Sequence, residues 1–331
     1  MADRDLTAVA LLHYRRRQRL AVSTAVTVQS LWRELDRSNL AGSWLHIGPR
    51  VTRALTTAQQ LAASTSDSYV SAVLAAQNYD GDQDGTLVPQ SLAGIASDGR
   101  VLTELVRQPL IGTLERVSGG MSLSQALGMG RADMDRIVRT QVADAGRVGD
   151  GVAGNTRRGV DWYVRVMTPP SCSRCAVLAG KFYRMEKPFL RHPRCDCLHM
   201  AVGSKNADLT ISARDYFDSL SRSAQDSTFT KAGAAAIREG ADINQIVNAR
   251  RGMSTAGSFN TGTGADTVTH RGTVTSGVTT TEGMTRRGFA GRRSGPLAGT
   301  GAKRLTPEAI YALSSDREQI LSLLRRYGYI S

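Results

Sequence analysis

The sequence predicts a mainly helical protein with a small α+β module built on a cysteine–histidine knuckle and a long irregular Gly/Thr-rich arm. Three observations lead there. Apolar residues recur at helical spacing through most of the first 150 positions and again after 205. All the cysteines, Cys172, Cys175, Cys195 and Cys197, lie in one short stretch, with His192 and His199 beside the second pair. From 253 to 303, Gly, Thr and Ser dominate and large apolar side chains are nearly missing.

Taken in order, residues 5–37 read as a long helix, with Val28, Leu31, Trp32 and Leu35 along one buried face. A basic cluster, Arg15 to Arg19, interrupts its first half as a solvated or phosphate-facing patch. Residues 51–77 form an Ala/Ser/Thr-rich packing helix, and 78–89 a polar loop with Asp-Gly turn signals. Asp80, Asp82 and Asp84 have the spacing of a calcium loop. Ser91 stands where the bidentate glutamate should fall, so no calcium site is expected. Residues 95–117 and 122–149 are further helices, and Trp162–Met167 alternates like a strand. Later helices span 212–220, 229–239 and 243–251, the last N-capped by Asp242. Thr306 caps a helix with Pro307 at its first position, and Ser315 with Glu318 reads as a capping box for the last one. These elements group into a helical N-terminal region (1–129), the α+β module (130–205), a helical segment (206–252), a flexible basic arm (253–303) and a C-terminal helical docking element (304–331).

The knuckle carries the chemistry. A C-x2-C turn brings two sulfurs together, and a C-x-C pair can bring two more, as tetrahedral thiolate ligation of zinc requires. A hairpin over 177–188 would fold one pair back on the other. The expected ligands are Cys172, Cys175, Cys195 and Cys197, with His192 as the alternative to Cys195, and the zinc is structural. Four reduced thiols or two disulfides are the plainer alternatives. A catalytic zinc would need an open position and a base, for which only Glu186 and Asp196 are close in sequence.

The net charge is +13, with 42 Lys and Arg against 29 Asp and Glu, which points to an acidic partner such as nucleic acid bound without sequence preference. Candidate contacts are Arg15, Arg16, Arg17, Arg19, Arg250, Arg251, Arg286, Arg287, Arg292 and Arg293. No stretch has the length and apolar character of a membrane span, so a soluble protein in a reducing compartment is expected.

Around Cys172-x-x-Cys175, the Ala-Gly-Lys turn that follows, and His192-Pro-Arg-Cys195-Asp-Cys197, the chain resembles the MuF-like minor head (head morphogenesis) proteins of tailed bacteriophages. The later helices, 216–252 with the run Ala241 to Met253, and the terminal segment 304–330 are similar to versions from phages of actinobacteria. Many relatives place a proline soon after the last cysteine, where this chain has His199 and Met200. The resemblance implies a virion protein made in the bacterial host cytoplasm and held inside the capsid near the portal. Its partners would be the portal protein and packaged double-stranded DNA, with the major capsid or scaffolding protein as a further candidate and no membrane. It implies a role in head assembly or in DNA packaging and ejection. Some relatives carry C-terminal toxin enzymes, but the Gly/Thr-rich tail here lacks their Arg, Ser-Thr-Ser, Glu-x-Glu series, so no enzymatic activity is expected. Two other readings compete: a packaged zinc-dependent nuclease or toxin-type enzyme, using His192 with Asp196 or Glu186, and a host nucleoid-type DNA-binding protein, suggested by charge alone.

Overall fold

Helices carry most of the chain in a computed structural model that describes residues 2–79, 81–167, 171–186, 197–203, 212–250, 253–254, 258–260, 267–269 and 279–330. The chain divides into two compact units. One comprises Met1–Pro170 and Ala179–Ile211, the other Ser171–Leu178 and Ser212–Ser331.

The first unit is built on α1 (Ala2–Arg33), α2 (Leu40–Ala63), α3 (Ser66–Ala76), α4 (Leu102–Ser118) and α5 (Leu123–Asn155). The long helix expected over 5–37 is α1, which runs from Ala2 to Arg33 with the basic cluster Arg15–Arg19 inside it. The single helix expected over 51–77 is two helices, and the first begins eleven residues earlier than that range, at Leu40. Asn39 caps it, its side chain accepting from the Gly42 N–H. Val28 and Trp32 of α1, Val51 and Leu55 of α2, Leu102 and Val106 of α4, and Met134 and Val138 of α5 fill one core. Burial of each such side chain stabilises by about 1.5–3 kcal/mol. Trp32 meets the Trp44 ring edge-on at 6.1 Å and donates its indole N–H to the Leu127 carbonyl at 3.2 Å, which fixes α1 against both α2 and α5.

The expected boundary at 129/130 falls inside α5, which continues unbroken to Asn155. Its last turns pack with Leu6, Tyr69, Val70 and Val73 against a small antiparallel sheet, so the helices and the strands share one unit. The strands β1 (Trp162–Val166), β2 (Phe182–Arg184) and β3 (Leu198–Val202) lie in the order β2-β1-β3. With a side-chain period of two, Val164, Met200 and Val202 face the helices. Tyr163, Arg165, Tyr183 and His199 share the opposite face, where Tyr163 stacks between Tyr183 and His199.

The second unit opens with α6 (Ser173–Ala176) and continues through α7 (Ala213–Ser219), α8 (Arg222–Phe229), α9 (Lys231–Arg238) and α10 (Ile243–Asn248). It includes short strands β4 (Met253–Ser254), β5 (Ser258–Asn260), β6 (Thr267–Thr269), β7 (Thr279–Thr280) and β8 (Arg304–Leu305), with α11 (Phe289–Ser294), α12 (Pro307–Leu313) and α13 (Arg317–Arg326). Capping sets several of these helix starts. Asp242 accepts from the Gln245 N–H at 2.9 Å, and Thr306 accepts from the Ala309 N–H ahead of Pro307. For α13, which starts at Arg317, the cap is Asp316, whose side chain accepts from the Gln319 N–H at 2.9 Å, rather than the expected Ser315. Phe217, Phe229, Ile237, Ile310, Leu324 and Tyr329 are buried.

Residues 279–303, expected within a flexible arm, are folded. β7 pairs with β4 and β8, and Met284 and Ala290 are fully buried. Smallness replaces apolar bulk here. A Cβ on Gly291 would lie 2.0 Å from the Thr285 carbonyl oxygen, so the backbones approach as only glycine permits. Residues 255–257, 261–266 and 270–278 of the expected arm lie outside the described residues.

Candidate metal centre and arginine surface

Cys172 and Cys175 sit on the single turn of α6. Cys172 is the N-cap residue in extended conformation, and its carbonyl accepts from the Ala176 N–H at 3.0 Å, closing the turn. Tyr216 anchors the approach: its hydroxyl accepts from the Ser171 N–H and donates to the Ser171 carbonyl, both at 2.9 Å. Burial pushes the Tyr216 phenol above its ordinary pKa, and the neighbouring Cys172 and Cys175 sulfurs push the same way. The two sulfurs are 3.5 Å apart. That is far longer than a disulfide, about 2.05 Å, and close to the roughly 3.8 Å edge of a tetrahedron with zinc–sulfur bonds of about 2.3 Å. Cys175 is buried and Cys172 exposed, so this edge has one solvent-facing corner. Spacing, donor type and separation all fit two of the four places of a thiolate zinc site.

Cys197 is buried at the entry to β3, and its carbonyl accepts from Arg147 Nε at 2.7 Å. Cys195 and its alternative His192 lie outside the described residues, as does Asp196. Among the described residues no three Cys, His, Asp or Glu side chains gather as a metal-binding group. The acids of the calcium-like spacing are otherwise engaged: Arg158 reaches Asp84 at 2.5 Å and Asp82 at 3.5 Å, while Asp80 is not described.

Of the arginines expected to meet nucleic acid, Arg15, Arg16 and Arg19 are exposed on α1. Arg17 is a correction. It points inward, donating Nη1 to Asp150 Oδ2 at 2.5 Å and Nη2 to Asp150 Oδ1 at 2.8 Å, with further bonds to Ser66 Oγ and the Ala62 carbonyl. The reason is steric and electrostatic together. Gly146 of α5 leaves the space the guanidinium fills, since a Cβ there would lie 2.5 Å from Arg17 Nε, and Asp150 supplies the charge. Arg286, Arg287, Arg292 and Arg293 are exposed in and before α11, with Arg293 stacked 4.6 Å above the Phe289 ring. Arg250 is half-buried, and Arg251 is not described.

One buried group carried no signal in the sequence. His13 stacks on Tyr69 at 3.7 Å and meets Asp150 at 3.3 Å, so α1, α3 and α5 converge on one carboxylate. Its partners are spread over the chain, and only the helical register of His13 with Arg17, one turn apart, hints at a shared face.

Among the described residues no helix is long and apolar enough to cross a membrane. Comparison with protein-family models, with curated proteins and with solved structures finds no match to this chain.

Proposed function

We propose that this chain is a structural minor head protein of a tailed bacteriophage, placed inside the capsid near the portal, that binds packaged DNA through arginine patches. In this reading a structural zinc, held by Cys172, Cys175 and Cys197 with Cys195 or His192, stiffens the knuckle. The ion supplies no chemistry to a substrate. It replaces apolar core where the local sequence is short of it, and in small zinc domains its contribution reaches about 10–16 kcal/mol.

The observation that carries the proposal is the 3.5 Å separation of the Cys172 and Cys175 sulfurs on a single helical turn. It is supported by the excess of 42 basic over 29 acidic residues and by the resemblance of the cysteine stretch to MuF-like proteins. Elemental analysis of the purified full chain should find one zinc per molecule. A metal-free protein whose melting is indifferent to chelator overturns the staple. For the head role, reconstruction of virions carrying this chain should place its density at the portal vertex, and finding it only outside the capsid rejects the assignment. Cleavage of DNA by the pure protein with added Zn²⁺ or Mg²⁺ would favour the packaged nuclease instead.

A further inference from the structure

Within the first unit, α2 and α4 flank an open groove of about 590 Å³. Its walls are apolar, with Trp44 and Leu45 from α2 and Leu110 and Leu114 from α4. Leu45 is 73 % exposed and Leu114 39 %, although the core beneath them is closed by Val51, Val106 and Leu110. The groove is built from rigid parts. Trp44 is pinned by the Trp32 ring edge, and Gly48 makes room for its indole, since a Cβ there would lie 2.7 Å from Nε1. Along α4 the lining runs from Thr103 to Leu114, and along α2 from Ala41 to Arg53, a length of roughly 18 Å or three helical turns.

The rim is one-signed. Arg53 of α2 and Arg107 of α4 border the groove, both are exposed, and neither forms an ion pair among the described residues. By contrast Arg50, one turn before Arg53, is already paired with Glu34. An apolar trough of this length with an uncompensated guanidinium on each bank complements a specific shape: a helix with apolar residues at i, i+4 and i+7 and carboxylates on its flanks. Nucleic acid would leave the leucines in water. A second copy of a chain with net charge +13 would bring more positive charge to a positive rim.

We propose that the groove between α2 and α4 is the docking site for an acidic amphipathic helix of another protein. Leu45 and Leu114 receive its apolar stripe, while Arg53 and Arg107 select its flanking carboxylates. The site is independent of the zinc and DNA readings, because none of its residues belongs to either.

The test uses the full chain and two fluorescein-labelled helical peptides of roughly 18 residues. They share one leucine stripe and differ only in carrying Glu or Lys on both flanks. The Glu peptide should bind at least about tenfold more tightly than the Lys peptide. Arg53→Glu with Arg107→Glu should reverse that order, and Leu45→Glu, at an exposed position that leaves the melting temperature unchanged, should abolish binding of both. Equal binding of the two peptides, no binding of either, or binding that survives Leu45→Glu overturns the proposal. So does a dimer of the chain alone, seen by sedimentation, that Leu45→Glu dissociates, since the groove would then be a self-interface.

Discussion

Arg17 of α1 and Asp150 of α5, 133 residues apart in sequence, form a two-pronged ion pair from which water is excluded, their side chains 7 % and 1 % exposed. A pair so buried does not guarantee net stability, because both charges leave water, but breaking it strands the survivor. Asp150→Ala should therefore destabilise the protein by about 3–5 kcal/mol, measured as a lower urea midpoint. The double variant Arg17→Met, Asp150→Leu should recover most of that loss. If it is as unstable as the single change, the pair itself is net stabilising.

The same cluster sets the response to acid. Burial alone would raise the Asp150 carboxyl, but the Arg17 charge and the His13 hydrogen bond outweigh it and hold it at about 2, below its ordinary 3.8. Burial lowers His13 from its ordinary 6.5. Both groups bind protons more readily unfolded than folded, so their contribution is complete above pH 6.5 and shrinks as pH falls. Stability should begin to decline below 6.5 with the His13 step and decline again between 3.8 and about 2 with the Asp150 step. Each group can add at most about 1.4 kcal/mol per pH unit. In thermal melts against pH, His13→Gln should remove the first step and leave the second.

For the metal, Cys172→Ser and Cys175→Ser should each drop zinc content from one per chain toward zero and lower the melting temperature. Comparing Cys195→Ser with His192→Ala assigns the remaining ligand, because only the true donor's loss should release the ion.

DNA binding through exposed arginines should be salt-dependent and indifferent to sequence. Replacing Arg286, Arg287, Arg292 and Arg293 by Gln should reduce the slope of log affinity against log salt by up to about 3.6, at roughly 0.9 per phosphate contact. Arg17→Gln should leave that slope alone while destabilising the fold, because its guanidinium is buried and bonded to Asp150. An unchanged slope in the fourfold variant would move the contact to α1, where Arg15, Arg16 and Arg19 stand exposed.

Gly291→Ala should cost about 1–3 kcal/mol as an overpacking change, since the new methyl meets the Thr285 carbonyl. Gly299→Ala, with nothing within 4 Å of its Cβ position, should be neutral. A mobile arm would tolerate both alike.

Local rules made part of this fold legible. Asp242, Thr306 and Pro307 start helices as their chemistry demands, and Val28, Leu31, Trp32 and Leu35 form the inward face their spacing marks. The sheet's central strand was visible in the alternation at 162–166. What stayed hidden depends on distant partners. Arg17 looks like its exposed neighbours until Asp150 and Gly146 meet it from the far end of α5. The glycines near Met284 read as slack chain, because composition does not distinguish freedom from a backbone packed too tightly for side chains. Of the candidate site, the Cys172–Cys175 turn follows from spacing alone, whereas the groove rimmed by Arg53 and Arg107 needs two helices brought together from separate stretches.

The path of the chain has its own consequence. Residues 171–178 are lent to the second unit before the first is finished, and β2 and β3 come only afterwards. A truncation near 170 would therefore deliver β1 with both ladders open, and bare strand edges invite aggregation. During synthesis the ribosome must release β3 before the earlier helices can close over their sheet. Splitting the gene at any codon strictly between 171 and 211 yields two fragments, neither of which contains a whole unit.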